Sequence, residues 1–319
     1  MASLYLQIEH ELERFEAKEK AITSMFIGGG TPSTVAPELY EKIFTLLKPY
    51  FKEGIEITTE ANPNSASTDW LKGMFQLGCT RVSFGVQSFN DTKLKFLGRE
   101  HNSTQAINAV SCAKEIGFEH ISLDLMYATK VDTKEIIAQD IQTAFSLPID
   151  HISAYALTIE ENTLFEAHPE AAKEKLELSN FFINSIKKRG FTQYEISNFG
   201  RYQCQHNIGY WKLDDYIGAG SGAVGMLKNE RFYPTTDIEN YIKNPLDIRV
   251  EALSEEDLKT EKVLLGLRSN VGVDMDILSE AELKQVDFLK EDKKVIQRKN
   301  RIFNSDYLLS DEIALFILS

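Results

Sequence analysis

The chain has 319 residues, 43% of them hydrophobic and 26% charged, with a formal net charge of −13. Such a length and balance describe a globular protein of one large barrel-like domain plus a small one, or of two domains, and the acidic surplus argues against generic nucleic-acid or membrane-surface binding. No apolar run approaches the length of a membrane span and the first residues carry no basic n-region, so the expected compartment is the cytoplasm.

Residues 3 to 16 put Leu4, Ile8, Leu12 and Phe15 on one face of an amphipathic helix. A helix opening a chain in this way is expected to pack on something that precedes it. The apolar run Ile22–Ile27 then reads as a buried strand that stops at Gly28, Gly29 and Gly30, followed by Thr31 and Pro32. Residues without a Cβ let backbone lie against a ligand, although a lone glycine triplet is as readily structural. No Lys-Ser/Thr follows, so it is not a P-loop. A helix is expected over Leu39–Tyr50.

The strand–helix alternation repeats. Gly54–Pro63, Thr80–Phe89, His120–Tyr127 and His151–Ile159 read as strands, and Asp69–Leu77, a segment capped by Ser103 or Thr104, and Thr133–Leu147 read as helices. Such alternation predicts parallel βα units, a barrel or part of one. Glu60, Gln87, Asp124 and Thr158 fall at or near the C-terminal ends of four different strands, on the rim that also receives Gly28–Thr31. Any one of them could be a satisfied core hydrogen bond. Several delivered to one rim favour a ligand site.

Beyond the barrel, Ala171–Lys188 reads as a helix, Phe191–Ser197 as a strand, and a linker-like stretch runs through Pro234 and Pro245 to a helix over Leu253–Arg268. The remainder, with the basic run Lys293–Phe303 and the apolar end Ile313–Leu318, fits helices, a hairpin and a last helix, like a winged-helix module. The basic run suits a solvated hairpin better than a DNA contact in so acidic a chain. The expected division is 1–170 barrel core, 171–250 the rest of the barrel region with its connecting segment, and 251–319 an accessory domain. Cys79, Cys112 and Cys204 lie far apart, without the spacing of a zinc or iron–sulfur ligand set, and read as ordinary thiols in a reducing compartment.

Five motifs together carry a family resemblance: Gly28-Gly-Gly-Thr-Pro32, Glu60-Ala-Asn-Pro63, Ser83-Phe-Gly-Val-Gln-Ser-Phe89, Leu97-Gly-Arg-Glu-His101 and Leu123-Asp-Leu125. Their order resembles the radical S-adenosylmethionine proteins related to oxygen-independent coproporphyrinogen III oxidase, over nearly the whole chain. Cys204-Gln-His-Asn-Ile-Gly-Tyr-Trp211 most resembles the HemW haem-chaperone branch. The resemblance implies a partial (β/α)6 barrel, its first strand missing, with a small C-terminal α+β winged-helix-like domain. It implies S-adenosylmethionine held by Gly29, Gly30 and Thr31 at the methionine end, by Arg99 at the carboxylate, by Gln87 and Asp124 at the ribose, with Glu60 lining the cavity and Thr158 near the adenosyl group. It implies haem held by His206, as candidate iron ligand, with Asn207, Tyr210 and Trp211. Read without the resemblance, Arg99 could equally pair with Glu100 or Asp91 at the surface, and the His206–Trp211 element could be an ordinary polar-aromatic loop.

Two departures stand out. The Cys-x-x-x-Cys-x-x-Cys loop that holds the family's [4Fe–4S] cluster is absent, so the cluster is expected only in a longer form, Ile22–Ile27 is expected at an open sheet edge, and catalysis by this chain as written is not expected. After Leu123-Asp-Leu-Met-Tyr127 the family continues Gly-Leu-Pro, whereas here Ala128-Thr-Lys130 follows. The expected role is cytoplasmic haem binding and delivery to recipient haemoproteins, membrane-bound ones included, with no nucleic acid partner. The alternatives are coproporphyrinogen III oxidation, which would need a site for a metal-free porphyrinogen, and an inactive fragment.

Overall fold

The computed structural model describes residues 1–161, 165–173 and 175–319. Along the chain come α1 (Ala2–Arg14), β1 (Ile22–Ile27), α2 (Glu41–Leu47), β2 (Phe51–Ala61), α3 (Thr68–Leu77), β3 (Arg81–Gln87), α4 (Asp91–Phe96), α5 (Ser103–Ile116), β4 (His120–Tyr127), α6 (Lys134–Ser146), β5 (His151–Ala156), α7 (Leu176–Lys188), β6 (Thr192–Gln193) and β7 (Asn198–Gly200). They build a seven-stranded sheet in the order β1-β2-β3-β4-β5-β7-β6. The pairs β2–β3, β3–β4 and β4–β5 are parallel, while β7 returns antiparallel to β5 and β6 antiparallel to β7. This is the half-barrel that the βα alternation predicts, and β1 lies at its edge as expected.

Local chemistry explains the elements. Ser67, Asn102 and Thr133 each accept a backbone N–H at the start of α3, α5 and α6. The α5 cap is Asn102 rather than Ser103 or Thr104, because Gln105 completes a reciprocal capping box with it. The expected single strand over Phe191–Ser197 is instead two short strands, β6 and β7, joined by a turn that buries Tyr194 and Glu195.

The sheet's two faces differ in kind. Val82, Phe84 and Val86 of β3, Ile121, Leu123 and Leu125 of β4, and Ile152 and Ala154 of β5 are buried apolar positions at every second residue. The intervening positions are polar and also buried: Thr58, Arg81, Ser83, Gln87, Ser122, His151 and Ser153. Buried polar groups need partners. Arg81 reaches Thr58 Oγ1 (3.5 Å) and His151 Nδ1 (3.2 Å), and His151 Nε2 meets the Tyr194 hydroxyl at 2.7 Å. Burial, then Arg81, holds the His151 imidazole well below its usual range, so it is neutral. Facing a guanidinium donor, Nδ1 must be the acceptor and Nε2 the protonated nitrogen.

The described residues form two compact units, Ser24–Glu41 with Ile55–Gln203, and Met1–Thr23 with Lys42–Gly54 and Cys204–Ser319. The first holds most of the sheet. The second contains α1, α8 (Gln205–Trp211), β8 (Gly225–Leu227), β9 (Glu230–Pro234), α9 (Ile238–Lys243), β10 (Ile248–Ala252), α10 (Glu255–Leu267), β11 (Val273–Asp274), α11 (Glu280–Glu291), β12 (Val295–Arg298), β13 (Arg301–Asn304) and α12 (Ser310–Ile317). The supposed linker around Pro234 and Pro245 is a three-stranded antiparallel sheet, β10-β9-β8. Its strands Arg231–Tyr233 and Arg249–Glu251 are too polar to stand out as an apolar run. The basic run is the β12–β13 hairpin, and Val263, Leu267, Val286, Leu289, Ile302, Ile313 and Ile317 form the core beside it.

α1 finds its partner downstream. Gln7, fully buried, donates to the Gly218 carbonyl (3.2 Å) and accepts from Gly220 N (2.9 Å) and the Tyr241 hydroxyl (2.7 Å). Arg14 lies 4.4 Å over the Phe232 ring and Phe15 packs 6.4 Å from it. The contacts that hold Gln7, Arg14 and Phe15 of the helix are thus made with segments more than 200 residues downstream.

Candidate functional site

At the C-terminal ends of the parallel strands a cleft is lined by Gly30, Thr31, Pro32, Glu60, Ala61, Asn62, Ser83, Gly85, Gln87 and Asp124. Five residues singled out from sequence, Gly30, Thr31, Glu60, Gln87 and Asp124, thus meet around one space.

Each is placed by a local feature. Gly29 and Gly30 have φ of +77° and +57°, with nothing within 4 Å of where a Cβ would stand, so the loop turns left-handed with an open face. Gly29 N–H donates to the Glu60 carboxylate. Gln87 has φ +65°, where the β3–β4 register slips after Phe84. A non-glycine residue in that region is costly and clusters at binding sites. Ala128, standing where the resemblance implies glycine, also adopts φ +60°. The loop thus keeps a glycine-like turn at a cost of about 1–2 kcal/mol.

The electrostatics are those of carboxyls crowded out of water. Burial pushes Asp124 up, opposed by hydrogen bonds from Ser153 and Ser83 (3.1 Å) and by Arg81 and Arg99. Burial and then Asp124 push Glu60 up, opposed by Gly29 N–H and Arg81. Arg99 follows α4 and Gly98 (φ +68°), half-buried within the field of Asp124. Among the described residues it makes no ion pair with Glu100 or Asp91. Glu100 instead takes Asn64 Nδ2 (3.0 Å) and Asp91 takes Ser103 N (2.9 Å). Thr158 stands apart: β5 ends at Ala156, and Thr158 is exposed and does not line the cleft.

Asn62, Ser83 and Gly85 were not singled out as site residues. A signal for two of them is present, since Ser83 and Gly85 are spaced by two from Gln87 along β3, whereas Asn62 lies just past the end of β2.

In the other unit, His206 to Trp211 lie on α8, whose i,i+4 spacing brings His206 Nε2 to 3.1 Å from the Tyr210 hydroxyl. The His206 and Tyr210 rings meet edge-on at 4.7 Å, and so do those of Tyr210 and Tyr216. Tyr210 is 40% exposed, and burial of its hydroxyl, then Tyr216 and Cys204, pushes it up to about 12. Asn207 and Trp211 are half-buried on the same helix, and Trp211 Nε1 has no hydrogen-bond partner among the described residues.

The cleft fits a small polar cofactor such as S-adenosylmethionine, with an open glycine turn, acceptors for hydroxyls and an arginine beside them. The cysteines do not fit an iron–sulfur cluster. Cys79 is buried, its thiol pushed up to about 12, the reverse of what a thiolate ligand needs, and Cys112 contacts Thr68 Oγ1 at 3.3 Å. Cys204 is buried in the other unit, and among the described residues no three His, Cys, Asp or Glu side chains are grouped to hold a metal ion.

The radical SAM superfamily profile matches residues 5–144. The heme chaperone HemW of Bacillus subtilis is 32% identical over 320 residues, covering 94% of this chain and 84% of that protein. The heme chaperone HemW of Lactococcus lactis is 32% identical over 281 residues, covering 83% and 74%. Among solved structures, coproporphyrinogen III oxidase (HemN) from Escherichia coli, a radical SAM enzyme, aligns with a TM-score of 0.81 over 99% of this chain and 82% of that one. At 21% identity that likeness carries the fold.

Proposed function

Because this chain belongs to the heme chaperone HemW family of radical SAM proteins, we propose that it binds haem and passes it to recipient haemoproteins. The observation that carries the reading is the α8 set, where the His206 imidazole meets the Tyr210 ring edge-on and Tyr210 in turn meets Tyr216, on a half-exposed helix. The Tyr210 hydroxyl, raised to about 12, stays a neutral phenol at physiological pH, so His206 is the better iron donor. To take iron through Nε2, His206 would give up its contact with the Tyr210 hydroxyl, and Tyr210, Trp211 and Asn207 would supply ring and amide contacts to the cargo. Among the described residues no helix is long and apolar enough to cross a membrane, which suits a carrier working from the cytoplasm toward membrane-bound recipients.

The barrel's part is a cofactor pocket. Gly29, Gly30 and Thr31 would meet the methionine end of S-adenosylmethionine, Arg99 its carboxylate, and Gln87, Asp124 and Glu60 its hydroxyl-bearing portion. When bound, that cofactor brings a sulfonium cation and an adenosyl group. Porphyrinogen oxidation, the alternative, needs a cluster that the present cysteines do not fit.

Haem titration of the 319-residue chain tests the proposal. His206→Ala should lose or shift the Soret band, and Tyr210→Ala or Trp211→Ala should weaken retention about tenfold, the loss of about 1.4 kcal/mol of ring contact. An unchanged spectrum and affinity in His206→Ala would refute the assignment.

A further inference from the structure

Glu195 sits in the turn between β6 and β7 and is fully buried. Its carboxylate accepts from the backbone N–H groups of Ser197 (2.9 Å) and Asn198 and from the Asn198 side chain. The other oxygen, Oε1, has no hydrogen-bond partner among the described residues, and neither has Asn198 Oδ1. Both of the carboxyl's partners are neutral.

Sheet register ties this carboxyl to the cleft. Asn198 pairs with Ser153 on β5, and Ser153 pairs with Asp124 on β4. Ser153 hydrogen-bonds both Asp124 and the Tyr155 hydroxyl. Asp124 in turn takes Ser83 Oγ, and Ser83 is in register with Glu60. One polar row thus crosses the sheet from Glu60 through Ser83, Asp124, Ser153 and Asn198 to Glu195. The Tyr155 hydroxyl lies in the field of all three carboxyls, those of Asp124, Glu195 and Glu60. The cations acting on the row, Arg81 and Arg99, act at its Glu60–Asp124 end. Tyr194, in the turn itself, has its hydroxyl 2.7 Å from Nε2 of His151, an imidazole that burial keeps neutral.

We infer that Glu195 is a specificity-determining residue of the cleft: its buried carboxylate, joined to the wall by the Asp124–Ser153–Asn198 row, makes the site prefer a cationic ligand to a neutral one of the same shape. Burial holds this carboxyl up to about 7, so it is half protonated near neutrality and a positive charge in the cleft drives its proton to solvent. Glu60 and Asp124 touch the ligand space directly, whereas Glu195 acts across the row. The inference rests on the cofactor reading above.

The two probes are S-adenosylmethionine, a sulfonium, and S-adenosylhomocysteine, its neutral thioether. Their dissociation constants are measured by ligand-observed NMR at pH 5.5 and 7.0, for the parent chain, Glu195→Gln and Glu195→Asp. If the cation lowers the Glu195 pKa by about one unit, linkage makes the sulfonium bind about fourfold tighter at pH 7.0 than at 5.5, beyond any change for the thioether. Glu195→Gln should narrow that gap by about the same factor, and Glu195→Asp should keep most of it. Equal tightening of both ligands in the parent, or an unchanged gap in Glu195→Gln, overturns the inference while leaving the cofactor reading intact. Binding of neither ligand overturns both.

Discussion

Lys93 is the charged residue whose removal should hurt most. Its ammonium is fully buried on α4, 2.7 Å from Asp132 Oδ1, 3.5 Å from Asp140 Oδ2 and 2.7 Å from the Met126 carbonyl. Lys93→Met keeps the stem's volume and removes the charge, leaving two carboxylates in a site closed to water. Breaking a buried ion pair from one side costs about 3–5 kcal/mol, because the surviving charge keeps its desolvation penalty without its partner. The Asp140 carboxylate retains donors, Ser88 Oγ (2.8 Å) and Phe89 N (2.6 Å), so most of the strain falls on Asp132. Adding Asp132→Asn to Lys93→Met should therefore recover at least about 1 kcal/mol, a coupling expected of residues in one network. Urea unfolding of the parent, both single variants and the double variant measures this. A Lys93→Met loss below about 1 kcal/mol, or strict additivity in the double variant, would refute the reasoning. The consequence reaches the cleft, since α4 leads directly into Arg99 and the Asp132 loop contains Ala128 and Thr129.

Glu195 also sets a pH dependence of stability. Its folded pKa of about 7 lies above the ordinary carboxyl value of 4.5, so its contribution is full below pH 4.5 and is lost as pH rises to 7, about 3 kcal/mol in all. Glu195→Gln should flatten that part of the stability–pH curve and gain on the parent above pH 7, and parallel curves would count against it. Gln7→Leu removes three hydrogen bonds and strands a carbonyl, an amide and a hydroxyl, so denaturant melts of its unit should show a loss of about 2–4 kcal/mol. A loss under 1 kcal/mol would mean that water replaces the side chain.

The parallel strands are legible because buried β-strands leave apolar runs bounded by turn residues, as in His120–Tyr127, whereas Ile22–Ile27, read from sequence as buried, is only partly covered because it lies at the sheet edge. The rim residues were legible because Glu60, Gln87 and Asp124 interrupt such runs near their ends. β8 to β10 were not, since their two-sided polar pattern resembles loop sequence. Thr158 falls away from the rim because β5 ends at Ala156 rather than running to Ile159. Glu195 is not legible from sequence, because a lone acid in a short segment gives no hint that the turn around it is sealed.

The Gln7 contacts also fix a schedule for biogenesis. Their partners lie 211, 213 and 234 residues further along the chain. At a synthesis rate of about 5–20 residues per second, α1 leaves the ribosome roughly 10–50 s before Tyr241 does. The segments of the other unit, ending at Gln203, are all made within that interval. Through it the Gln7 amide waits without the groups that will satisfy it. Closing a loop of that length adds little equilibrium cost, because the entropy grows only with the logarithm of its length. The exposure is kinetic, and a nascent chain paused before residue 241 is where chaperone capture or aggregation of this protein should be sought.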